Sequence, residues 1–508
     1  MLGMTKEKQS GHGKRPRLQS SGAGRQAVVD IGSNSVRLVI YEGPHRAPMP
    51  ICNEKALCGL GRDPAADGML NPAAADYALA TLRRFRSLLD EHGAPPTQVI
   101  ATAAVREAKD GAAFVAKIRE LGFEAEIIGG GQEAQLAALG VVSCEPNASG
   151  LVGDMGGGSL ELVALSEGAV QENISLSIGP LKLMQACGER ASDAPKMIEA
   201  ALQEVDWLRA GRFHTLYSVG GAWRALARIH MRIRSYPLSV LHHYEFSRAD
   251  ALDVCDLVAK QSRRSLLEIP GIPHRRLDTL PYAAMVFKAV LLRCGIDKVM
   301  VSAGGVREGL LYSELSDEEK KLDPLFEGAR FFANRLSPEP AIGEAVASLT
   351  DTLFANETPA ERRIRLATCI LSDIGAYFHP DLRAMQAFEM ALHAPFYAIT
   401  HRERLQIAVA LHSRHDGKPP SSADEHLLGL ISPEERLWAV RLGLAMRFAG
   451  ALAPKAPAAL AGASLVVEDK KLIFRAPQDR LPLMGELPRK RLSALAGAFE
   501  AAPVEDYF

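Results

Sequence analysis

Two short stretches of the chain hold residues whose types and spacing suit phosphoryl chemistry. In LVGDMGGGSLELVAL (151–165) an apolar run ends at Asp154, then Gly156, Gly157, Gly158 and Ser159 follow, and an alternating apolar segment resumes. Period-two alternation on both sides of a glycine run predicts a β-hairpin. A turn without side chains lets backbone N–H groups approach an anion closely. Asp154 at the strand end and Glu161 beyond the turn are placed to hold a hard cation beside that anion. VVDIGSNSVRLVI (28–40) superposes on this stretch without a gap, Asp30 on Asp154, Gly32 on Gly156 and Ser35 on Ser159, with Arg37 opposite Glu161. Asp30 joins the candidate cation ligands, and the Ser33, Asn34, Ser35 and Ser159 side chains join the candidate phosphate ligands. Two Asp-x-Gly-x-x-Ser hairpins imply duplicated half-domains whose shared cleft grips a chain of phosphates from both sides.

Two further residues stand near that cleft. Arg106 follows the buried strand predicted over 99–103, and ligands of open α/β sheets gather outside strand carboxyl ends, so its guanidinium is a candidate phosphate partner. Glu133 falls in the first turn of a helix predicted from Gln132, after three glycines. A carboxylate there is a favourable partner for the helix dipole, and beside a phosphate cleft it can also orient water. The pair Gly220-Gly221 between a strand and a helix repeats the pattern of a backbone approaching a bound group, though close strand–helix packing explains it equally well.

The motifs VVDIGSNSVRLVI, ATAAVREA (101–108), GGGQEAQLAALG (129–140), LVGDMGGGSLEL, YSVGGAWRALARI (217–229) and VSAGGVREGLLY (301–312) together resemble the exopolyphosphatase / guanosine pentaphosphate phosphatase family. They come in its order and spacing from residue 26 to about 312, with a looser likeness onward. The resemblance implies α/β architecture with duplicated actin-like ATPase (ribonuclease H-like) half-domains, an all-α HD-like domain and a small α+β C-terminal domain. It implies hydrolysis of the terminal phosphoanhydride of inorganic polyphosphate, with Glu133 as general base, Arg106 on the transferred group, Mg²⁺ as cofactor and room for a monovalent cation such as K⁺. A homodimer is implied as well. Removal of a phosphate from pppGpp, an actin-like ATPase or small-molecule kinase, and a non-hydrolytic sensor of polyphosphate or (p)ppGpp are the competing readings. Where the family commonly shows Glu-Glu-Ala-Arg, this chain has Gln132-Glu133-Ala134-Gln135, which bears on substrate preference more than on the reaction.

The elements that must position these groups divide the chain into five parts. Residues 1–25 form a tail with six basic residues against Glu7 alone and no apolar core, read as disordered and not as a secretory signal. Residues 26–134 and 135–315 are the two halves, with extended chain to a turn at Gly59–Asp63, a helix opened by Pro72, and strands at 125–128, 174–178 and 216–219. Arg276 and Asp278 read as structural, and Lys260, Arg263, Arg264, Arg275 and Arg276 as a basic region, read first as a solvated face and second as the lining of a polyanion path. Residues 316–450 are predicted as amphipathic helices at about 324–335, 340–355, 360–377, 381–393, 402–413 and 432–449. Ser372-Asp373 stands where the HD fold carries its metal-binding His-Asp pair, so His379, His393, His401, His412 and His415 read as ordinary histidines, and this region as a wall or dimer interface. Residues 451–508 are predicted as two strands, 464–468 and 472–475, and a final helix opened by Arg489-Lys490-Arg491.

Composition narrows the function classes. A net charge of −1 argues against general attraction to nucleic acid or membrane surfaces. Seven cysteines without CxxC spacing suit a reducing cytoplasm and the role of small core residues. The longest apolar stretch, near Leu280 to Cys294, is broken by Lys288 and Arg293, so no membrane span is expected.

Overall fold

The computed structural model describes residues 24–62, 68–188, 191–261, 263–267, 276–421 and 424–508. The basic tail up to residue 23, Asp63, Arg275 and the side chain of Arg263 lie outside the described residues.

The first sheet holds β1 (Gln26–Ile31), β2 (Val36–Glu42), β3 (Met49–Ala56), β4 (Thr97–Ala101) and β5 (Ala125–Ile127). The second holds β6 (Gly150–Met155), β7 (Leu160–Ser166), β8 (Ala169–Leu176), β9 (Thr215–Val219), β10 (Glu245–Ser247) and β11 (Lys298–Val301). Their orders are β3-β2-β1-β4-β5 and β8-β7-β6-β9-β11-β10. Each is therefore an antiparallel meander followed by two parallel strands, and β10 is an antiparallel addition at the far edge of the second. The duplication seen in two hairpins extends to whole sheets. Equivalent positions face each other across each hairpin, Asp30 opposite Arg37 and Asp154 opposite Glu161.

The two halves interlock through the helices Gly130–Cys144 and Val306–Ser313. The first buries Ala134, Ala138, Val141 and Val142 against Val152 and Val163 of the second sheet. The other places Leu310 and Leu311 against Val28, Val39 and Ile100 of the first. The helix carrying Glu133 thus runs through the half-domain boundary expected at 134/135. Glycines allow the crossing: a Cβ on Gly140 would stand 2.1 Å from the Gly305 carbonyl oxygen, and one on Gly309 1.8 Å from that of Leu136. Such contact brings two backbones together without side chains between them.

Beyond residue 316 the chain is helical to Leu452, including Pro324–Leu336, Pro359–Ile370, Arg383–His393, His401–Asp416 and Pro433–Leu452. The helix expected to reach residue 377 ends at Ile370 and continues as turns. A last sheet, β12 (Ser464–Glu468), β13 (Lys471–Ala476) and β14 (Ala502–Tyr507), packs Leu465, Leu472 and Phe474 into the same core as the helices. Among the described residues no helix is long and apolar enough to cross a membrane.

Candidate active site

Both predicted hairpin turns form, and they meet. Gly32 N–H donates to the Ser35 carbonyl at 3.0 Å, and Gly156 N–H to that of Ser159 at 3.1 Å, closing two turns of the same shape. A neighbouring loop holds each from one side: Gly61 and Gly59 donate to the carbonyls of Ser33 and Asn34, and Leu181 and Gly179 to those of Gly157 and Gly158. In a trans peptide the N–H lies opposite the C=O, so the N–H groups of Asn34, Ser35, Gly158 and Ser159 face away from those loops. A Cβ on Gly157 would lie 3.0 Å from Leu181 Cδ1 and 3.5 Å from Ser33 Cβ, so the absence of a side chain lets one turn rest on the other.

The turns line one cavity of about 620 Å³. Asp30, Asp154, Glu133 and Glu161 belong to its wall, as do Gly32, Ser33, Asn34, Ser35, Gly156, Gly157, Gly158 and Ser159. Among the site residues expected from the sequence, only Arg106 is not part of that lining. Its Nη1 donates to Glu133 Oε2 at 3.1 Å and to the Ile128 carbonyl at 2.8 Å, so it stands behind Glu133 and ties it to the end of the first sheet.

Burial and mutual repulsion set the carboxylates apart from surface acids. Burial pushes Glu133 up to about 7, against the pull of Arg106 and helped by Asp154 and Asp30. Asp154 rises to about 6 by burial, opposed by Arg224 and Arg307. Glu161, 2% exposed, rises well above the usual range through burial and then the charges of Glu133 and Asp154, although Ser175 donates to it at 2.8 Å. A carboxylate near 7 is poised to accept a proton at neutral pH.

The facing wall is basic. Arg37, Lys55, Arg224, Arg228, Arg276 and Arg307 line the same cavity. Burial lowers Lys55 to about 8 and Arg37 to about 10, with neighbouring arginines adding to both shifts. Cations that depress one another in this way form a site waiting for negative charge. Arg307 Nη1 donates to Asp30 Oδ2 at 2.9 Å, and its neighbour Glu308 accepts from Tyr41 and from Gly305 N–H. Arg276, expected on a solvated face, lies inside instead, because a glycine at 221 makes room for its guanidinium: a Cβ there would stand 2.1 Å from Nη1. Lys55, Arg224, Arg228 and Arg307 were not singled out from the sequence. The i, i+4 spacing of Arg224 and Arg228 after Gly220-Gly221 was the signal available for two of them. The outer wall comes from the helical region, through His393, Pro395, Phe396, Tyr397 and Arg404.

Residues 38–318 match the Ppx/GppA phosphatase family, and residues 344–500 match the exopolyphosphatase C-terminal family. The chain belongs to the Ppx/GppA phosphatase family. It is 28% identical over 319 residues to Exopolyphosphatase 2 of Mycobacterium tuberculosis, covering 57% of this chain and 98% of that protein. It is 29% identical over 446 residues to Retrograde regulation protein 2 of Saccharomyces cerevisiae, covering 78% and 74% of the two chains. Among solved structures, an exopolyphosphatase from Cytophaga hutchinsonii matches with a TM-score of 0.52 and 26% identity over 57% of this chain and 97% of that one. A Ppx/GppA family member from Aquifex aeolicus matches with a TM-score of 0.51 and 26% identity over 58% and 98%. The Ppx/GppA match, 38–318, holds the second hairpin and most of the cavity wall, while the first turn lies just before it and His393 to Arg404 lie beyond it.

Proposed function

We propose that this Ppx/GppA protein hydrolyses the terminal phosphoanhydride of inorganic polyphosphate and releases orthophosphate. The observation that carries the reading is the meeting of two N–H-bearing turns in one cavity under a carboxylate whose proton affinity sits near neutrality. In this reading the turns and the Ser33, Asn34, Ser35 and Ser159 hydroxyl or amide groups hold neighbouring phosphoryl groups. The basic wall offsets the negative charge of the rest of the chain. Glu133 takes a proton from water as the water oxygen bonds to the terminal phosphorus, and the bridging P–O bond breaks with its electrons leaving on the shortened chain. Arg106 holds Glu133 in place rather than touching the transferred group.

Among the described residues no group of three acidic, histidine or cysteine side chains converges to hold a metal unaided. The mutually repelling carboxylates nevertheless fit Mg²⁺, which is commonly bound by one or two carboxylates together with substrate phosphates and waters. Asp154 and Glu161 are the residues that would hold it, since Asp30 already pairs with Arg307. The ion would supply positive charge where negative charge builds up on the phosphates.

A second substrate, pppGpp, is favoured by one feature: Leu241, Pro395, Phe396 and Tyr397 give the cavity an apolar wall that a bare phosphate chain does not use. Turnover of long-chain polyphosphate and of pppGpp, measured side by side with Mg²⁺, tests the choice. Faster polyphosphate cleavage is the expected result. Faster pppGpp cleavage would transfer the assignment to the nucleotide, and tight binding of either without turnover would make the protein a sensor.

A further inference from the structure

A second cavity, of about 340 Å³, lies inside the helical region, apart from the cleft just described. Four separate segments bring Asp373, Arg383, Arg414, His415 and Lys455 to its wall. Three cations therefore meet one carboxylate. Asp373, 3% exposed, pairs with Lys455 and lies 3.5 Å from Arg414, which leaves the recess in positive excess. Among the described residues just outside this lining, Asp416 partly offsets Arg447. Arg447 packs against the same helix end, where its Nη1 donates to the carbonyls of Arg414 and His415. Arg383 donates its Nε–H to the Phe378 carbonyl and faces no acid in the recess other than Asp373.

Among the described residues, two buried nitrogens of side chains that line this recess have no hydrogen-bond partner, Arg414 Nε and His415 Nε2. An unpaired buried polar group costs about 1–3 kcal/mol; Arg414 Nε–H is a donor, and the role of His415 Nε2 depends on the ring's tautomer. The recess is also built to admit the side chains that carry them. A Cβ on Gly450 would lie 2.4 Å from Arg414 Nη2, and one on Gly375 2.9 Å from His415 Nε2. Burial, helped by the neighbouring arginines, holds His415 down to about 3, so it is a neutral ring without charge.

We propose that this recess binds a small phosphoryl anion, of the size of orthophosphate or pyrophosphate, through Arg383, Arg414 and Lys455. Three cations against one carboxylate match a dianion. Guanidinium groups pair with phosphoryl oxygens in the two-point geometry that carboxamide or hydroxyl ligands cannot return. The volume lies at the lower end of the ~300–1,000 Å³ of small-molecule pockets, which suits one or two phosphoryl groups. The site is independent of the reaction proposed above.

Lysine acylation of the full chain, read by peptide mass spectrometry at constant ionic strength, tests this with a built-in control. Lys455 reports on the recess and Lys55 on the cleft. Pyrophosphate or orthophosphate is expected to slow labelling of Lys455 by roughly tenfold at ten times the half-saturating concentration. Arg414→Met should abolish that protection while protection of Lys55 remains. Arg383→Met should weaken it, and serves alone if the Arg414 variant fails to fold by thermal melting. Unchanged Lys455 labelling alongside a protected Lys55 would overturn the proposal, as would full Lys455 protection in the Arg383 variant.

Discussion

The two hairpins share a backbone and differ in charge, and the difference teaches how a duplicated fold acquires one direction. In the first, Asp30 is neutralised by Arg307 and faces Arg37 across the ladder. In the second, Asp154 faces Glu161, and both are pushed up by burial. One turn therefore sits beside cations and the other beside acids. In the proposed reaction the first suits the bound phosphates, and the second suits the cation and the water. The halves became unequal through single side chains two positions beyond each turn, with the strand order intact.

That inequality can be broken in measurable ways. The largest effect should come from the acid pair. Asp154→Asn is expected to lower the rate of phosphate release on the order of 10²-fold or more, and Asp30→Asn far less, as judged by initial rates at saturating Mg²⁺. Equal losses would mean the two hairpins do the same work. Next comes the contact between turns. Gly157→Val drives a side chain into Leu181 and Ser33 and should raise KM by about tenfold or more, whereas Gly32→Ala, whose nearest neighbour would be 3.4 Å away, should change KM little. Comparable KM values in the two variants would show that the close approach is not needed for binding.

A smaller effect lies in pH dependence. Glu133 acts as a base only when ionised, so kcat/KM should rise with pH through a midpoint near 7. Arg106 favours the ionised form, so Arg106→Met should move that midpoint upward. A downward or absent shift would separate Arg106 from Glu133. The smallest effect is on stability. A carboxyl whose folded pKa is raised makes folding prefer the protonated form, so its destabilisation is full above about 7 and disappears below the unfolded value of 4.5. Glu133→Gln should therefore raise the melting temperature at pH 8, by an amount equivalent to about 1–3 kcal/mol, and give little gain at pH 4.5.

The hairpins were legible in the sequence because alternation and glycine runs are local signals, and their repetition identified the duplication. Glu133 was legible as an acid in the first turn of a helix that follows three glycines. The basic wall was not. Arg276 and Arg307 reach the first hairpin only through the crossing of distant segments, and an isolated arginine in a helix looks the same whether it meets solvent or substrate. Strand β14 escaped for a related reason: APVEDY sits at a sheet edge, mostly exposed, and shows no apolar alternation. Strand β8 was placed too late because its first residues alternate in burial only weakly beside the turn at Glu167-Gly168. Local patterns thus reported the phosphate-facing turns, while long-range topology supplied the charge around them.

The claim on which the functional account stands is that Glu133 handles water while the turns hold the chain. Glu133→Ala, assayed on one preparation for polyphosphate binding and for phosphate release, addresses it directly. The expected result is release lowered by about 10²–10⁴-fold with binding within a few-fold of the parent protein. Near-normal release from that variant would contradict the account.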